Sequence, residues 1–282
     1  KKLSFDDHRG FFVENLVTDF SMTKTSLYLE KLNLKTKESL LVGTVKMDYK
    51  QGDLKYFVNK VNLNIAIEKS ILSTNELNIF YNEFGKDKKL YVKTHAFGTL
   101  NNLKLANTII ADDLNSQIIG TFELNNLITN PKDFKITTNL DRLFISRANA
   151  VSLLPRVLGK SLPEQLSAVG MLDLNGAIQY SNYELEADVN AVSNLGKAHA
   201  KVSMTKLNQP KLATYTGDVV LEDFHIGNII GQKNIGKTSL NLFIDGQGFD
   251  SKSLNTIISG DVYSFEFNGY NFRDIIIDGN LK

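Results

Sequence analysis

Apolar and polar residues alternate along most of this chain, which is the pattern of strands that bury one face. The clearest runs occupy residues 61–67, 90–96, 185–191 and 240–244. In these runs every second position is apolar or small, and polar side chains such as Asn62 and Asn64 fill most of the others. The alternation predicts a mostly β fold whose antiparallel strands have one apolar face and one solvated face.

Four glycines recur at near-constant intervals, and each is interpreted as the start of a similar strand. They are Gly43, Gly120, Gly196 and Gly260, separated by 77, 76 and 64 residues. After the first three, apolar residues follow two and four positions later. A fixed period predicts a chain built by stacking copies of one unit. The predicted units are residues 1–72, 73–146, 147–222 and 223–282, which together make one repetitive segment.

The alternation is interrupted at a few places that predict bends, turns and helices. Leu29 and Leu32 are out of phase, which predicts a β-bulge or a bend between them. Helical spacing predicts short helices in residues 73–84, in residues 147–166 on either side of Gly159, and in residues 224–230. Turn residues occur at 51–53, 100–102, 181–182 and 245–246.

Composition narrows the classes of protein that need to be considered. The chain has 282 residues, of which 42% are hydrophobic and 22% charged, as in folded proteins. A net charge of +1 argues against a nucleic-acid-binding domain. The absence of Cys excludes disulfides, thiolate metal sites and Cys nucleophiles. No apolar run reaches the roughly 18 residues of a membrane-spanning helix. Because the chain does not start with Met and stops within a strand pattern, we expect it to be a segment of a longer protein.

One motif for phosphate binding is present in the sequence. Residues 231–238, GQKNIGKT, match G-x-x-x-x-G-K-[ST]. That motif binds phosphate only between a buried strand and the N-terminus of a helix. The residues after it alternate as a strand, so a turn that contains Gly and Lys is the preferred interpretation.

Other candidate chemistry is sparse. None of the four His has a second His at metal-binding spacing. His95 and His199 have the parity of the polar face, and we expect both to contact solvent. The acidic pairs at 6–7 and 112–113 are interpreted as surface residues. The sequence therefore predicts no catalytic residue, no cofactor and no metal, and the protein is not expected to be an enzyme.

The aromatic residues leave two arrangements of the sheet open. Seventeen Phe and ten Tyr lie largely in or beside predicted strands. They fit a β-sandwich, in which a second sheet covers the apolar face, and they also fit a single sheet with an open concave apolar surface. Composition alone favours the sandwich, and alternation cannot separate the two.

Two stretches resemble the repeats of the TamB/AsmA-like family. Residues 26–49, SLYLEKLNLKTKESLLVGTVKMDY, are similar to a strand pair with the motif T-x-x-S-x-L/I-x-G, matched here by Thr36, Ser39, Leu41 and Gly43. Residues 240–282 resemble family members of the Asn- and Lys-rich Bacteroidota type. The matching residues there are Gly246, Gly248, Leu254, Gly260, Gly269, Tyr270 and Gly279. In the rest of the chain the resemblance is limited to the general repeat pattern.

The resemblance implies a long, curved antiparallel or mixed β-sheet that forms a U-shaped, taco-like hydrophobic groove from repeated units, with a few short helices. It implies a bacterial cell-envelope protein in the periplasm, anchored in the inner membrane by a segment outside these residues. The implied role is to move phospholipid between the inner and outer membranes and to support assembly or secretion of outer-membrane proteins with a β-barrel partner. The family supplies no catalytic group or cofactor.

With phospholipid acyl chains as the expected ligand, ten apolar residues are predicted to face the groove. They are Val45, Met47, Val92, Phe122, Leu124, Leu174, Ala200, Val202, Val262 and Phe265. The alternatives are a structural or adhesive β-repeat protein without lipid, and a nucleotide-binding protein that uses residues 231–238.

Overall fold

A computed structural model describes residues 3–159, 162, 164–249 and 253–281 of the chain. Strands contain 62% of the residues and helices 14%. The sixteen strands lie in the sheet in the order in which they occur in the sequence. Every strand pair with a defined register is antiparallel. The predicted mostly β, antiparallel fold with a few short helices is confirmed.

The chain forms two compact units. The first unit comprises residues 1–134 and 148–162, and the second comprises residues 135–147 and 163–282. The strands of the first unit are β1 (Leu3–Asp6), β2 (Phe12–Met22), β3 (Ser26–Thr36), β4 (Leu40–Asp48), β5 (Asn62–Ser73), β6 (Lys89–Gly98), β7 (Asn102–Asp112) and β8 (Gln117–Asn125). Those of the second unit are β9 (Lys135–Ser146), β10 (Met171–Ser181), β11 (Glu184–Ser193), β12 (Gly196–Thr205), β13 (Thr214–His225), β14 (Ile235–Gln247), β15 (Asn255–Phe267) and β16 (Tyr270–Leu281). The division into four repeats stays a prediction.

The helices are short and lie between strands. The α-helices are α1 (Phe57–Lys60), α2 (Thr74–Phe80), α3 (Arg147–Leu153), α4 (Pro155–Leu158) and α5 (Ile226–Ile230). Turns of 3-10 helix occupy Asp53–Tyr56, Pro131–Asp133 and Glu164–Val169.

Helices form in all three segments where they were predicted. The Ser73 side chain caps α2 by accepting a hydrogen bond from the Asn75 backbone N–H. In residues 147–166 the break between helices falls at Leu154, ahead of Gly159, because Pro155 begins α4. A 3-10 turn follows Gly159, and Pro163 lies outside the described residues.

The phase slip in β3 is a β-bulge, as predicted. Lys31 has φ = 50°, and the register between β3 and β4 shifts between Leu29 and Leu32. The same irregularity recurs in β7, where Asn107 has φ = 51° and the register with β8 shifts before Thr108. The residue after each bulge pairs with a glycine of the next strand, Gly43 or Gly120. Bulge and glycine therefore repeat together in the first unit.

The periodic glycines lie mostly inside strands, and the expectation that each starts a strand is wrong for three of the four. Only Gly196 begins a strand, whereas Gly43, Gly120 and Gly260 lie within β4, β8 and β15. At Gly43 a Cβ would approach the Ala66 carbonyl oxygen to 2.0 Å, and at Gly260 the Asn241 carbonyl oxygen to 2.2 Å. Glycine is required there because the neighbouring backbone comes too close for a side chain.

The turn predicted at residues 245–246 is also wrong. β14 continues to Gln247, and Gly246 pairs with Tyr215 on one side and Thr256 on the other. A Cβ at Gly246 would lie 2.7 Å from the Tyr215 ring. Gly246 thus makes room for an aromatic ring across the strands, and the Tyr215 hydroxyl hydrogen-bonds to the Thr256 hydroxyl at 2.5 Å.

The buried Thr36 hydroxyl and the partly exposed Ser39 hydroxyl tie α2 to the turn between β3 and β4. Thr36 Oγ1 donates to Glu76 Oε2 at 2.6 Å, and the Ser39 hydroxyl donates to the same oxygen. Ser39 N–H donates to Thr36 Oγ1, which closes the turn. Hydrogen bonds from Ser73 and Asn75 lower the pKa of the neighbouring Glu38 below its ordinary value. Two residues of the T-x-x-S motif, Thr36 and Ser39, therefore have structural roles.

Replacement of Glu76 with alanine should destabilise the first unit by about 1–3 kcal/mol, because the buried Thr36 hydroxyl loses an acceptor. Urea unfolding followed by circular dichroism measures the change in free energy. Glu76→Gln keeps one acceptor oxygen and should lower the free energy of unfolding by a smaller amount. Equal stability of both variants and the unmodified chain would mean that the Glu76 contacts contribute nothing.

Candidate functional site

The second unit has a face made entirely of uncharged residues. Residues directly opposite each other on antiparallel strands point to the same face, so the strand register defines rows across the sheet. Four rows cross all eight strands of this unit, from β9 to β16. The first is Leu143, Leu174, Ala191, Ala198, Leu221, Leu240, Val262 and Ile275. The second is Leu140, Gly176, Val189, Ala200, Val219, Leu242, Gly260 and Ile277. The third is Thr138, Ile178, Ala187, Val202, Gly217, Ile244, Ile258 and Gly279. The fourth is Ile136, Tyr180, Leu185, Met204, Tyr215, Gly246, Thr256 and Leu281. We call this surface the second apolar face.

The first unit has a comparable face. Two rows cross its strands from β2 to β8 without a charged residue. One consists of Met22, Leu27, Met47, Leu63, Gly98, Leu103 and Leu124. The other consists of Phe20, Leu29, Val45, Ile65, Ala96, Leu105 and Phe122. We call this surface the first apolar face.

All ten residues predicted to face the groove lie on these two faces. Val45, Met47, Phe122 and Leu124 belong to the two rows of the first apolar face, and Val92 shares the parity of Ala96 on β6. In the second unit the rows contain Leu174, Ala200, Val202 and Val262. Phe265 pairs with Thr238 beyond a register shift, and Thr238 has the parity of Leu240, so Phe265 lies on the same face. That the faces bind lipid stays a prediction.

The ten residues differ in how much of their surface is accessible. Val45 and Val262 are buried, with 8% and 5% of their surface exposed. Met47 packs against a small core of Tyr49, Val61 and Leu63. The remaining seven are partly exposed. Most of the predicted positions therefore contribute accessible apolar surface within their own unit.

A cavity of about 470 Å³ in the second unit borders part of the third row. Its lining includes Ile178, Ala187 and Val202 together with Thr138, whose buried hydroxyl has no hydrogen-bond partner among the described residues. The charged residues of the lining are Glu186, Asp188, Lys201 and Asp218. Val202 is the predicted site residue that contacts this open space.

Charged side chains occupy the opposite faces. In the first unit Lys104 Nζ lies 2.5 Å from Glu123 Oε1. In the second unit Arg142 Nη2 lies 2.7 Å from Asp173 Oδ2, and these hydrogen bonds raise the pKa of Arg142 above its ordinary value. The predicted orientation of the two histidines is confirmed. His95 is exposed and bonds to Asn64, and the partly exposed His199 bonds to Asp188 at 3.0 Å.

Residues 231–238 do not form a phosphate-binding loop. This agrees with the preferred interpretation of the sequence, which was a turn that contains Gly and Lys. The five-residue helix α5 precedes the segment, and the strand β14 begins at Ile235 within it. Lys237 pairs with His225 in the β13–β14 ladder. Because a strand follows where a helix N-terminus is needed, this segment lacks the strand–loop–helix geometry on which the nucleotide-binding alternative depends.

The arrangement can hold apolar chains but offers little for proton transfer or metal binding. The rows of both apolar faces lack Asp, Glu, His, Lys and Arg, and their titratable side chains are Tyr180 and Tyr215 of the fourth row. Among the residues that the structure describes, no group of three or more His, Asp or Glu side chains is placed to hold a metal ion.

The ten predicted residues include no row residue from nine of the strands, which are β2, β3, β5, β7, β9, β11, β13, β14 and β16. Leu105, Leu143 and Leu221 lie in the rows but were not predicted. A signal was present in β7, where Leu103 and Leu105 alternate before a phase slip at Asn107, as Leu27 and Leu29 do before Lys31. In β9 and β13 the register shifts next to Leu143 and Leu221 hide the alternation.

The fold and the two faces define an antiparallel β-sheet protein with accessible apolar surface. No protein-family model, curated protein or solved structure matches this chain. Among the described residues, no helix combines the length and the apolarity needed to cross a bilayer.

Proposed function

We propose that this chain binds phospholipid acyl chains on its apolar faces and belongs to a TamB/AsmA-like protein of the bacterial cell envelope. In that role it moves phospholipid between the inner and outer membranes and supports outer-membrane protein assembly with a β-barrel partner. One observation carries the proposal: the rows of each apolar face cross strand after strand without a charged side chain, and most of their residues are partly exposed.

The physical chemistry of acyl chains supports this assignment. Each methylene that leaves water contributes about 0.8 kcal/mol, and the contribution does not depend on direction. A uniform apolar row therefore holds a chain at any position along it, whereas a charged residue in the row would make binding there unfavourable. Rows that continue across many strands suit a ligand that moves along the surface.

The structural or adhesive alternative requires a partner sheet or protein to cover the same faces. Mass spectrometry of organic extracts from the purified chain separates these functions, with a protein of similar size from the same membrane-containing lysate as reference. Stoichiometric phospholipid is the expected result. A lipid-free chain that unfolds cooperatively would contradict the proposal and favour a face that is covered by protein.

Val202→Asp should reduce the bound phospholipid several-fold while leaving the β content unchanged, because it places a carboxylate in a partly exposed apolar row. The matched control is Val220→Asp, since Val220 pairs with His199 and Asn241 on the opposite face of the same unit. Extracted lipid per protein and far-UV circular dichroism are the two measurements. Equal lipid loss in both variants, or unfolding of Val202→Asp alone, would contradict the proposed role of the second apolar face.

A further inference from the structure

Three connections of the second unit form one continuous surface at the same end of the strands, because every second connection of an antiparallel sheet lies at the same end. They join β10 to β11, β12 to β13 and β14 to β15, and their described parts are residues 182–183, 206–213 and 248–249. The Leu207 N–H donates to the Tyr183 carbonyl oxygen at 3.0 Å. The Phe249 N–H donates to the Pro210 carbonyl oxygen at 3.1 Å. These bonds join all three connections, and we call the surface the loop rim.

The loop rim exposes one large apolar or aromatic side chain from each connection. Tyr183, Leu212 and Phe249 are 42%, 49% and 49% exposed. Ala213 is buried, and its carbonyl oxygen accepts a hydrogen bond from the Gly248 N–H at 2.9 Å, which holds two of the connections together. Exposed apolar side chains that are grouped in this way are typical of a surface that contacts a partner or a membrane.

The loop rim is also basic. Lys206 and Lys211 are exposed, and no ion pair among the residues that the structure describes involves either of them. In the sequence, residues 182–183, 206–213 and 248–254 contain three Lys and one Asp. Interfaces between proteins are depleted in Lys, whereas the surface of an anionic bilayer attracts it. Charge therefore favours a lipid bilayer over a protein as the partner of the loop rim.

The loop rim is continuous with the second apolar face. Tyr215 belongs to the fourth row of that face, and its ring stacks on the Phe249 ring with the centroids 5.5 Å apart and the planes 11° from parallel. Tyr180 and Met204 of the same row are the last residues but one of β10 and β12. An acyl chain at the loop rim therefore lies next to the fourth row.

We propose that the loop rim binds the surface of an anionic phospholipid bilayer, with Tyr183, Leu212 and Phe249 at the level of the headgroups. Aromatic and aliphatic side chains enter this region of a bilayer, and the Lys side chains reach the lipid phosphates. The contact places the fourth row beside the bilayer, where acyl chains pass to the second apolar face. For this role of the contact, the inference rests on the proposed function.

A single Trp reports on contact with the bilayer, because the chain has no Trp of its own. The fluorescence maximum of Phe249→Trp should shift to shorter wavelength when vesicles that contain phosphatidylglycerol are added. Phe243→Trp is the matched control, since Phe243 is 42% exposed on β14 and pairs with Asp218 on the charged face of the same unit. Equal shifts for the two variants, or no shift for Phe249→Trp, overturn the proposal.

Charge reversal tests the basic character of the loop rim. Lys211→Glu should lower the constant for binding to the same vesicles by roughly fivefold or more in co-sedimentation. With vesicles of phosphatidylcholine alone, this variant and the unmodified chain should bind equally. Lys233→Glu is the control, because Lys233 is exposed in the connection between β13 and β14, at the opposite end of the strands. Equal losses for the two variants on anionic vesicles overturn the proposal.

Extracted lipid distinguishes failure of this bilayer contact from failure of the proposed function. Lys211→Glu should retain the phospholipid that co-purifies with the unmodified chain, since the apolar rows are unchanged. An unmodified chain that carries phospholipid but binds no vesicles of either composition overturns the bilayer contact alone and favours a protein as the partner of the loop rim. An unmodified chain that binds anionic vesicles but carries no phospholipid supports the contact and contradicts the proposed function.

Discussion

Gly43→Ala should destabilise the first unit by about 2–4 kcal/mol, which is large for the addition of one methyl group. The added Cβ would lie 2.0 Å from the Ala66 carbonyl oxygen and 3.3 Å from the Ile67 Cα. These are backbone atoms of the paired strand β5, which cannot move aside as a side chain does. Relief of the overlap requires strands β4 and β5 to separate at the point where their register already shifts.

Urea unfolding followed by far-UV circular dichroism measures this loss of stability. Gly279→Ala is the matched control, because Gly279 also lies in a strand and a Cβ there would meet no atom within 4 Å. The control should change the free energy of unfolding by about 0.5 kcal/mol or less. Equal destabilisation by the two substitutions would mean that the close approach of β5 does not determine the glycine at position 43.

The strands were predictable from the sequence because alternation is a local property of each strand. Residues 62–67 and 90–96 lie in β5 and β6 with the expected parity, and a one-residue slip was sufficient to locate the bulge at Lys31. The position of a glycine within a strand was not predictable in the same way. It depends on how closely the neighbouring backbone approaches, as Ala66 does at Gly43 and Asn241 at Gly260.

The T-x-x-S-x-L/I-x-G motif, on which the expected resemblance to the TamB/AsmA-like family partly rests, has a structural explanation in this chain. Thr36 and Ser39 close the turn between β3 and β4 and bond to Glu76, and Gly43 fits against the β5 backbone. These contacts would suit any chain that repeats a hairpin, a bulge and a short helix. The motif therefore stabilises the sheet and is not itself evidence for lipid binding. The proposed function depends on the apolar rows.

The parity of the candidate site was predictable, but the degree of burial was not. Alternation placed all ten residues on the apolar faces, because side chains two positions apart on a strand share a face. Burial depends on segments far away in the sequence. Met47 packs against a core that includes Val61, which follows β4 through a turn and a short helix. No local pattern in β4 indicates that contact.

Val262→Asp should destabilise the second unit by about 3 kcal/mol or more, because it places an unpaired carboxylate among buried apolar side chains. Val262 is 5% exposed and pairs with Leu240, which is 7% exposed, and with Ile275. Val202 lies on the same face, but its side chain borders open space. Val202→Asp should therefore lower the free energy of unfolding by only about 1 kcal/mol. The two substitutions introduce the same group and differ in the accessibility of the site.

The pH dependence of urea unfolding distinguishes destabilisation caused by the buried carboxylate from destabilisation caused by lost packing. Burial raises the pKa of a carboxyl group above its unfolded value, so the destabilisation by Val262→Asp is largest at neutral pH and decreases as the group binds a proton in acid. Val262→Ala loses packing alone and should show no such pH dependence. If Val202→Asp proved as destabilising as Val262→Asp, the second apolar face would be a closed core throughout. It could not then bind acyl chains in the way that we propose. A clear difference between the two would leave accessible apolar surface in the third row, as the proposed function requires.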